Sequence, residues 1–168
     1  LPHYGEMRGV AFTSDGRRLL TWGLEPLVRL WDVTTGRLLD TRAAPDLVFA
    51  AALSPDGGDI VACLTGGRTV RWRGASDTPE QLPSEGGDVT AVSFSPDGAL
   101  LLTAHPSEHV ARLWDAGDGR LLRVFHGHAD IVQYASFTPD GAAVVTSSND
   151  SSVRLWDGAS GAEIQRFT

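Results

Sequence analysis

Apolar residues along this chain come in short bursts of two kinds. Stretches such as VTAVSF (89–94) and VQYASF (132–137) alternate, the period of a strand with one buried face. Stretches such as RRLLTW (17–22), IVACLT (60–65), ALLLTA (99–104) and AAVVTS (142–147) are nearly continuous, the pattern of a short strand buried on both faces. Between the two kinds stand turn signals: Ser14-Asp15-Gly16, Pro55-Asp56-Gly57, Pro96-Asp97-Gly98 and Pro139-Asp140-Gly141. Pro presets φ at the second position of a turn, Asp suits the third, and Gly takes the left-handed conformation that closes the hairpin. Each continuous run is followed by a polar turn and then VRLWD, VRW, ARLWD or VRLWD. A Gly turn and a weaker strand close three of the units: RLLDTR, RLLRVF and AEIQRF. In the second unit GASDTPEQL fills that place without a clean Gly turn, so its blade is expected to be the least regular. No segment sustains a 3.6-residue period. The pattern predicts four antiparallel strands per unit and essentially no helix.

The unit recurs at a fixed interval. Trp31, Trp72, Trp114 and Trp156 are separated by 41, 42 and 42 residues. A period in this range marks a repeat architecture. A four-stranded unit with two apolar faces must be covered by its neighbours, and radial stacking of such sheets is the propeller solution. The predicted fold is all-β: a β-propeller segment of four four-stranded antiparallel blades, spanning about residues 3–43, 44–84, 85–127 and 128–168.

The residues at these repeats resemble WD repeats, the signature of the WD-repeat β-propeller family. Trp-Asp stands at Trp31-Asp32, Trp114-Asp115 and Trp156-Asp157, with Trp72-Arg73 in the second unit, and Gly127-His128 supplies the family's Gly-His dipeptide. The resemblance implies a buried hydrogen-bonded tetrad of His128, Thr146, Asp150 and Trp156. The indole N–H needs an acceptor, the hydroxyl passes its proton to His, and His donates to the carboxylate. The first unit offers His3, Thr21, Glu25 and Trp31, with the same His-to-acid spacing of 22 (25 − 3 and 150 − 128). The third offers Glu85 in the His position, then Thr103, Glu108 and Trp114. The second offers Ala44, Ala62, Gly66 and Trp72, and so no tetrad.

Composition narrows the function. The net charge is −7, against the basic patch that phosphate-backbone binding requires, so no nucleic acid is expected. No apolar run approaches the ~18 residues of a membrane-spanning helix, so no membrane partner is expected either. Cys63 stands alone, cannot form an intrachain disulfide, reads as a small core hydrophobe, and fits a reducing compartment. His128 with Asp150 and Thr146 could be read as a catalytic set, but the repeat accounts for them. HPSEH (105–109) holds two histidines and a Glu in a turn, not on one helix face. Gly66-Gly67 and Gly86-Gly87 open no helix, and no nucleophile motif is present. No catalytic residue, metal or cofactor is expected.

Binding is the expected role. In the family, partners dock on the loops entering each blade and the loops between its second and third strands. The resemblance places Tyr4, Met7, Trp22, Leu24, Pro26, Asp88, His105, Glu108, Asp130 and Asn149 on that face. Trp22 and Leu24 are of the type that anchors interfaces. The expected function is a protein–protein interaction scaffold; the alternative is a regulatory or sensor propeller attached to a catalytic domain of a longer protein. Four blades leave two apolar faces uncovered, so closure is expected from missing blades or from a second copy, head to tail, in an eight-bladed ring. The chain opens LPHYGEMRGVAF without Met, and RFT joined to LPH resembles RVF-HGH (123–128), as expected of a segment excised in register from a longer array.

Overall fold

The computed structural model describes residues 3–83 and 87–168. They form four four-stranded antiparallel sheets, each built from consecutive strands. The first holds β1 (Met7–Phe12), β2 (Arg18–Gly23), β3 (Leu27–Asp32) and β4 (Leu38–Ala43). The second holds β5 (Val48–Leu53), β6 (Asp59–Leu64), β7 (Thr69–Arg73) and β8 (Glu80–Leu82). The third holds β9 (Ala91–Phe94), β10 (Leu100–His105), β11 (Val110–Asp115) and β12 (Leu121–Phe125). The fourth holds β13 (Val132–Phe137), β14 (Ala143–Ser148), β15 (Val153–Asp157) and β16 (Glu163–Phe167). The one helical turn among the described residues is a 3-10 turn at Pro106–Glu108. β8 is three residues long; its unit lacks the Gly turn of the other three and carries Pro79 just before the strand, which cannot donate to the ladder.

The chain divides into two compact units, residues 1–86 and 87–168. Each has one sheet-on-sheet core, and both cores are made the same way. In each sheet the tryptophan of the third strand defines one face, the Trp face, and alternation puts its sequence neighbours on the reverse face. In the first unit Leu20, Trp22, Val28 and Leu30 on the reverse face of the first sheet pack against Ala51, Ile60, Ala62, Val70 and Trp72 on the Trp face of the second. In the second unit Leu102, Ala104, Leu113 and Phe125 on the reverse face of the third sheet pack against Ala135, Val144 and Trp156 on the Trp face of the fourth. Arginines fasten each contact from outside. Arg42 of β4 donates to the Gly74 carbonyl at 3.3 Å and to Asp77 at 2.9 Å. Arg123 of β12 donates to the Ser160 carbonyl at 2.7 Å. Cys63 is fully buried, and burial pushes its thiol up to about 12, which leaves it inert.

The first hairpin turn of every sheet is the same device. Thr138 Oγ1 donates to Asp140 at 2.6 Å, the Ala142 N–H donates to the same carboxylate at 3.0 Å, and Thr138 Oγ1 in turn accepts from the Ala143 N–H at 3.0 Å. Thr13–Asp15, Ser54–Asp56 and Ser95–Asp97 repeat the hydroxyl-to-carboxylate bond, each at 2.6 Å. Gly16, Gly57, Gly98 and Gly141 follow with φ between 67° and 76°, where a side chain would be strained. The hydroxyl bond and then the backbone N–H hold all four carboxyls below the ordinary Asp range. A carboxyl depressed by folding stabilises the fold above its unfolded pKa and loses that contribution as pH falls through the folded value. The urea midpoint is therefore expected to be insensitive to these groups above about pH 5 and to drop below about pH 4. Urea titrations across that range test this, and Asp140→Asn should flatten the acid limb.

Candidate functional site

The fourth sheet brings its four predicted side chains together. Trp156 Nε1 donates to Thr146 Oγ1 at 2.8 Å, and Thr146 Oγ1 lies 2.7 Å from His128 Nε2. An indole can only donate, so the hydroxyl proton goes to His128 Nε2, and Nδ1–H donates to Asp150 Oδ2 at 2.8 Å. Ala129 N–H and Ser152 Oγ complete the carboxylate at 3.0 and 2.7 Å. Burial works against the charge on Asp150, but the bonds from Ser152, His128 and the backbone outweigh it and hold the carboxyl far below its usual range. The first sheet repeats the arrangement: Trp31 Nε1 donates to Thr21 Oγ1 at 2.8 Å, Thr21 meets His3 Nε2 at 2.6 Å, and His3 Nδ1 bonds Glu25. In the second sheet Ala62 replaces the Thr, and Trp72 Nε1 has no hydrogen-bond partner among the described residues.

The third sheet departs from expectation. Glu85 lies outside the described residues. The imidazole comes from His105, two residues beyond Thr103 on the same strand and therefore on the same face. Trp114 Nε1 donates to Thr103 Oγ1 at 2.8 Å, and Thr103 Oγ1 lies 2.8 Å from His105 Nε2. His105 is 3% exposed, so it is not available to a partner as expected from its place in HPSEH. Burial, then the charge of Arg112, lowers its pKa to about 4. Glu108 turns instead to Arg112, which donates to it at 2.9 and 2.6 Å.

That pair belongs to a regularity outside the sequence-based expectations. Glu25–Arg29, Glu108–Arg112 and Asp150–Arg154 are all acid–arginine pairs four residues apart, with each Arg two residues before the tryptophan. The three arginines are buried, and Arg154 also lies over the Trp156 ring at 5.8 Å. The signal was legible as E-x-x-x-R-x-W-D in two units and D-x-x-x-R-x-W-D in the fourth.

Of the expected docking residues, Tyr4, Met7, Pro26, Asp88, Glu108, Asp130 and Asn149 are exposed, and Leu24 is half-buried. Trp22 is not on that face. It is 9% exposed and packs on the reverse face over Gly9, where a Cβ would collide with the ring. Two loops of the first unit converge instead. Tyr4 N–H donates to Glu25 at 3.4 Å, Ala44 N–H to the Pro26 carbonyl at 2.9 Å, and Val48 N–H to the Glu25 carbonyl at 3.1 Å. Exposed Tyr4, Pro26 and Leu47 therefore project from segments tied to one loop. Leu47 was missed because it lies in the entry loop of the unit without a tetrad. Among the described residues no group of three His, Cys, Asp or Glu side chains is placed to hold a metal.

Thr146→Val leaves the buried Trp156 N–H unpaired and is expected to cost about 2 kcal/mol, read from urea unfolding. His105 binds its proton less tightly folded than unfolded. Its contribution to stability is therefore full above about pH 6.5 and is lost as pH falls toward about 4. Proton NMR should show the His105 ring titrating near 4, and His105→Gln should remove that part of the pH dependence.

Comparison with known proteins agrees with this geometry. The family model described as WD domain, G-beta repeat, matches residues 80–115 and 119–157. Protein groucho of Drosophila melanogaster is 26% identical over 172 residues, covering 97% of this chain and 23% of the relative. Echinoderm microtubule-associated protein-like 2 of Mus musculus is 26% identical over 159 residues, covering 92% and 24%. Nuclear distribution protein PAC1 of Arthroderma benhamiae is 30% identical over 170 residues, covering 92% and 36%. The chain spans about a quarter to a third of the length of these relatives. Periodic tryptophans, four four-stranded sheets and the two matched repeats agree: the chain carries WD repeats and is similar along its length to WD-repeat proteins.

Proposed function

We propose that this chain is a non-catalytic scaffold that binds protein partners through the loops at the entry and β2–β3-type turns of its sheets. The observation that carries the reading is that Tyr4, Pro26 and Leu47 are apolar and exposed on segments that hydrogen bonds tie to one loop. Rigid, exposed aromatic and aliphatic groups are the raw material of interface hot spots. The corresponding loops of the second unit carry Asp88, Glu108, Asp130 and Asn149, all exposed, which favours basic side chains on whatever binds there. The tetrad residues have their hydrogen-bonding capacity occupied by one another, which supports a structural role for them rather than chemistry on a substrate.

The relatives' greater length is consistent with this chain being part of a longer protein; the second reading, a regulatory or sensor propeller attached to a catalytic domain, adds that domain as its own proposal. A further partner consistent with four blades is a second copy of the chain.

Selection from a displayed random-peptide library tests the scaffold role. Peptides with an apolar anchor are expected to enrich, and Tyr4→Ser with Leu47→Ser is expected to weaken them by about tenfold or more. No enrichment, or binding indifferent to both substitutions, would overturn the assignment of these residues.

A further inference from the structure

The two sheets of each unit meet by the same pair of faces, reverse face onto Trp face. In the second unit the contact centres on Phe125 and Trp156, whose rings lie 5.8 Å apart. Strand register locates the counterparts of these residues. Phe125 pairs with Ala111, three residues before Trp114, and Phe167 pairs with Val153, three residues before Trp156. Phe167 is therefore the Phe125 of the fourth sheet, and it is 54% exposed, with Tyr134 on the same face at 62%. On the Trp face of the first sheet, Val10 and Phe12 are each 57% exposed beside half-buried Trp31. Their counterparts in the fourth sheet, Ala135 and Phe137, pack against the third.

We propose that these two faces mate between copies of the chain: the reverse face of β13–β16 covers the Trp face of β1–β4 of a second copy, seating Phe167 against the Trp31 of that copy. A second copy is the occupant because this chain carries both halves of the contact, in the order its own sheets already use twice. The chemistry of the face agrees. From Tyr134 and Ser136 through Val145, Ser147, Val153, Leu155 and Gln165 to Phe167 it is uncharged; the charged Asp157 stands at the end of β15, where its carboxylate accepts from Ser160 of its own turn at 2.6 Å. A sheet face meant for water alternates in charged and polar residues. The contact is heterologous, joining two different patches, so it closes a ring or runs on as a filament. The proposal rests on the scaffold reading only in naming one of its partners, and the two are read out separately.

Light scattering of the 168-residue chain, from micromolar to hundreds of micromolar, should give at least twice the 17.9 kDa of one copy. Val10→Asp and Phe167→Asp should each return the mass to that of one copy. Their equimolar mixture should recover a dimer, because one intact junction survives between the two variants. If either loses its β-sheet circular dichroism, Phe12→Lys and Tyr134→Lys test the same faces. A folded wild-type chain that stays monomeric would overturn the proposal, as would assembly that survives both substitutions. Peptide binding retained by the monomeric variants leaves the scaffold role standing; peptide binding lost with the mass unchanged removes that role alone.

Discussion

Each sheet of this chain is apolar on both sides, so it must be covered twice, and the tryptophan of the third strand does the covering on one side. Magnitudes show that packing dominates. Burying an indole removes about 200 Å² from water, worth roughly 5 kcal/mol at ~25 cal/mol per Å². An unpaired indole N–H costs about 1–3 kcal/mol. The second sheet illustrates the balance. Trp72 is 1% exposed with no partner for its N–H among the described residues, because Ala62 stands where the other sheets have Thr. That sheet keeps the burial of its indole, which contributes more, and gives up the hydrogen bond, which contributes less. In the other three the Thr hydroxyl recovers the N–H, an imidazole recovers the hydroxyl, and in the first and fourth a carboxylate and a buried arginine close the chain of bonds.

The number and boundaries of the strands were legible because their signals are local. A hydroxyl, an Asp two residues later and then a Gly can only build one kind of tight turn, and the 42-residue step repeats it. The site was less legible wherever the direction of a side chain decided the outcome. Trp22 and His105 were both expected on an exposed loop face. Trp22 adjoins Thr21 and so points to the opposite side, where Gly9 leaves room for its ring. His105 is two residues from Thr103 and so shares its side, close enough to replace a histidine from the entering loop. Both outcomes follow from the two-residue period of a strand, applied one residue further than the run of apolar letters extended. The acid–arginine pairs were overlooked for a different reason. A charged pair at helical spacing invites no attention in a strand, and only its recurrence beside each tetrad tryptophan gives it meaning.

Burial of those arginines also explains how an acidic chain places cations inside its sheets. A buried guanidinium is costly unless paired and hydrogen-bonded. Arg29 and Arg154 sit against carboxylates that are themselves almost wholly buried, whereas the Glu108 facing Arg112 is half-exposed. The two enclosed pairs belong to the sheets with a complete His, Thr and acid set. In the third sheet the imidazole arrives from within the strand, its Nδ1 finds no partner among the described residues, and the carboxylate is left to the arginine and to water. Losing one member of the network has rearranged the rest of it.

The first sheet presents the converse case. Its network is complete, from Trp31 through Thr21 and His3 to Glu25 and Arg29, yet its tryptophan is the least buried of the four. The network itself is enclosed, with the Arg29 and Glu25 side chains 3% and 7% exposed. The same bonds under a covering layer fix one packing and exclude others. A full network beneath a half-covered indole, flanked by exposed Val10 and Phe12, is the chemistry of a buried face. Its residues match those of the fourth sheet, where the equivalent face is covered by Phe125 and its neighbours. The polar interior of the first sheet thus repeats that of the fourth, hydroxyl, imidazole, carboxylate and guanidinium alike.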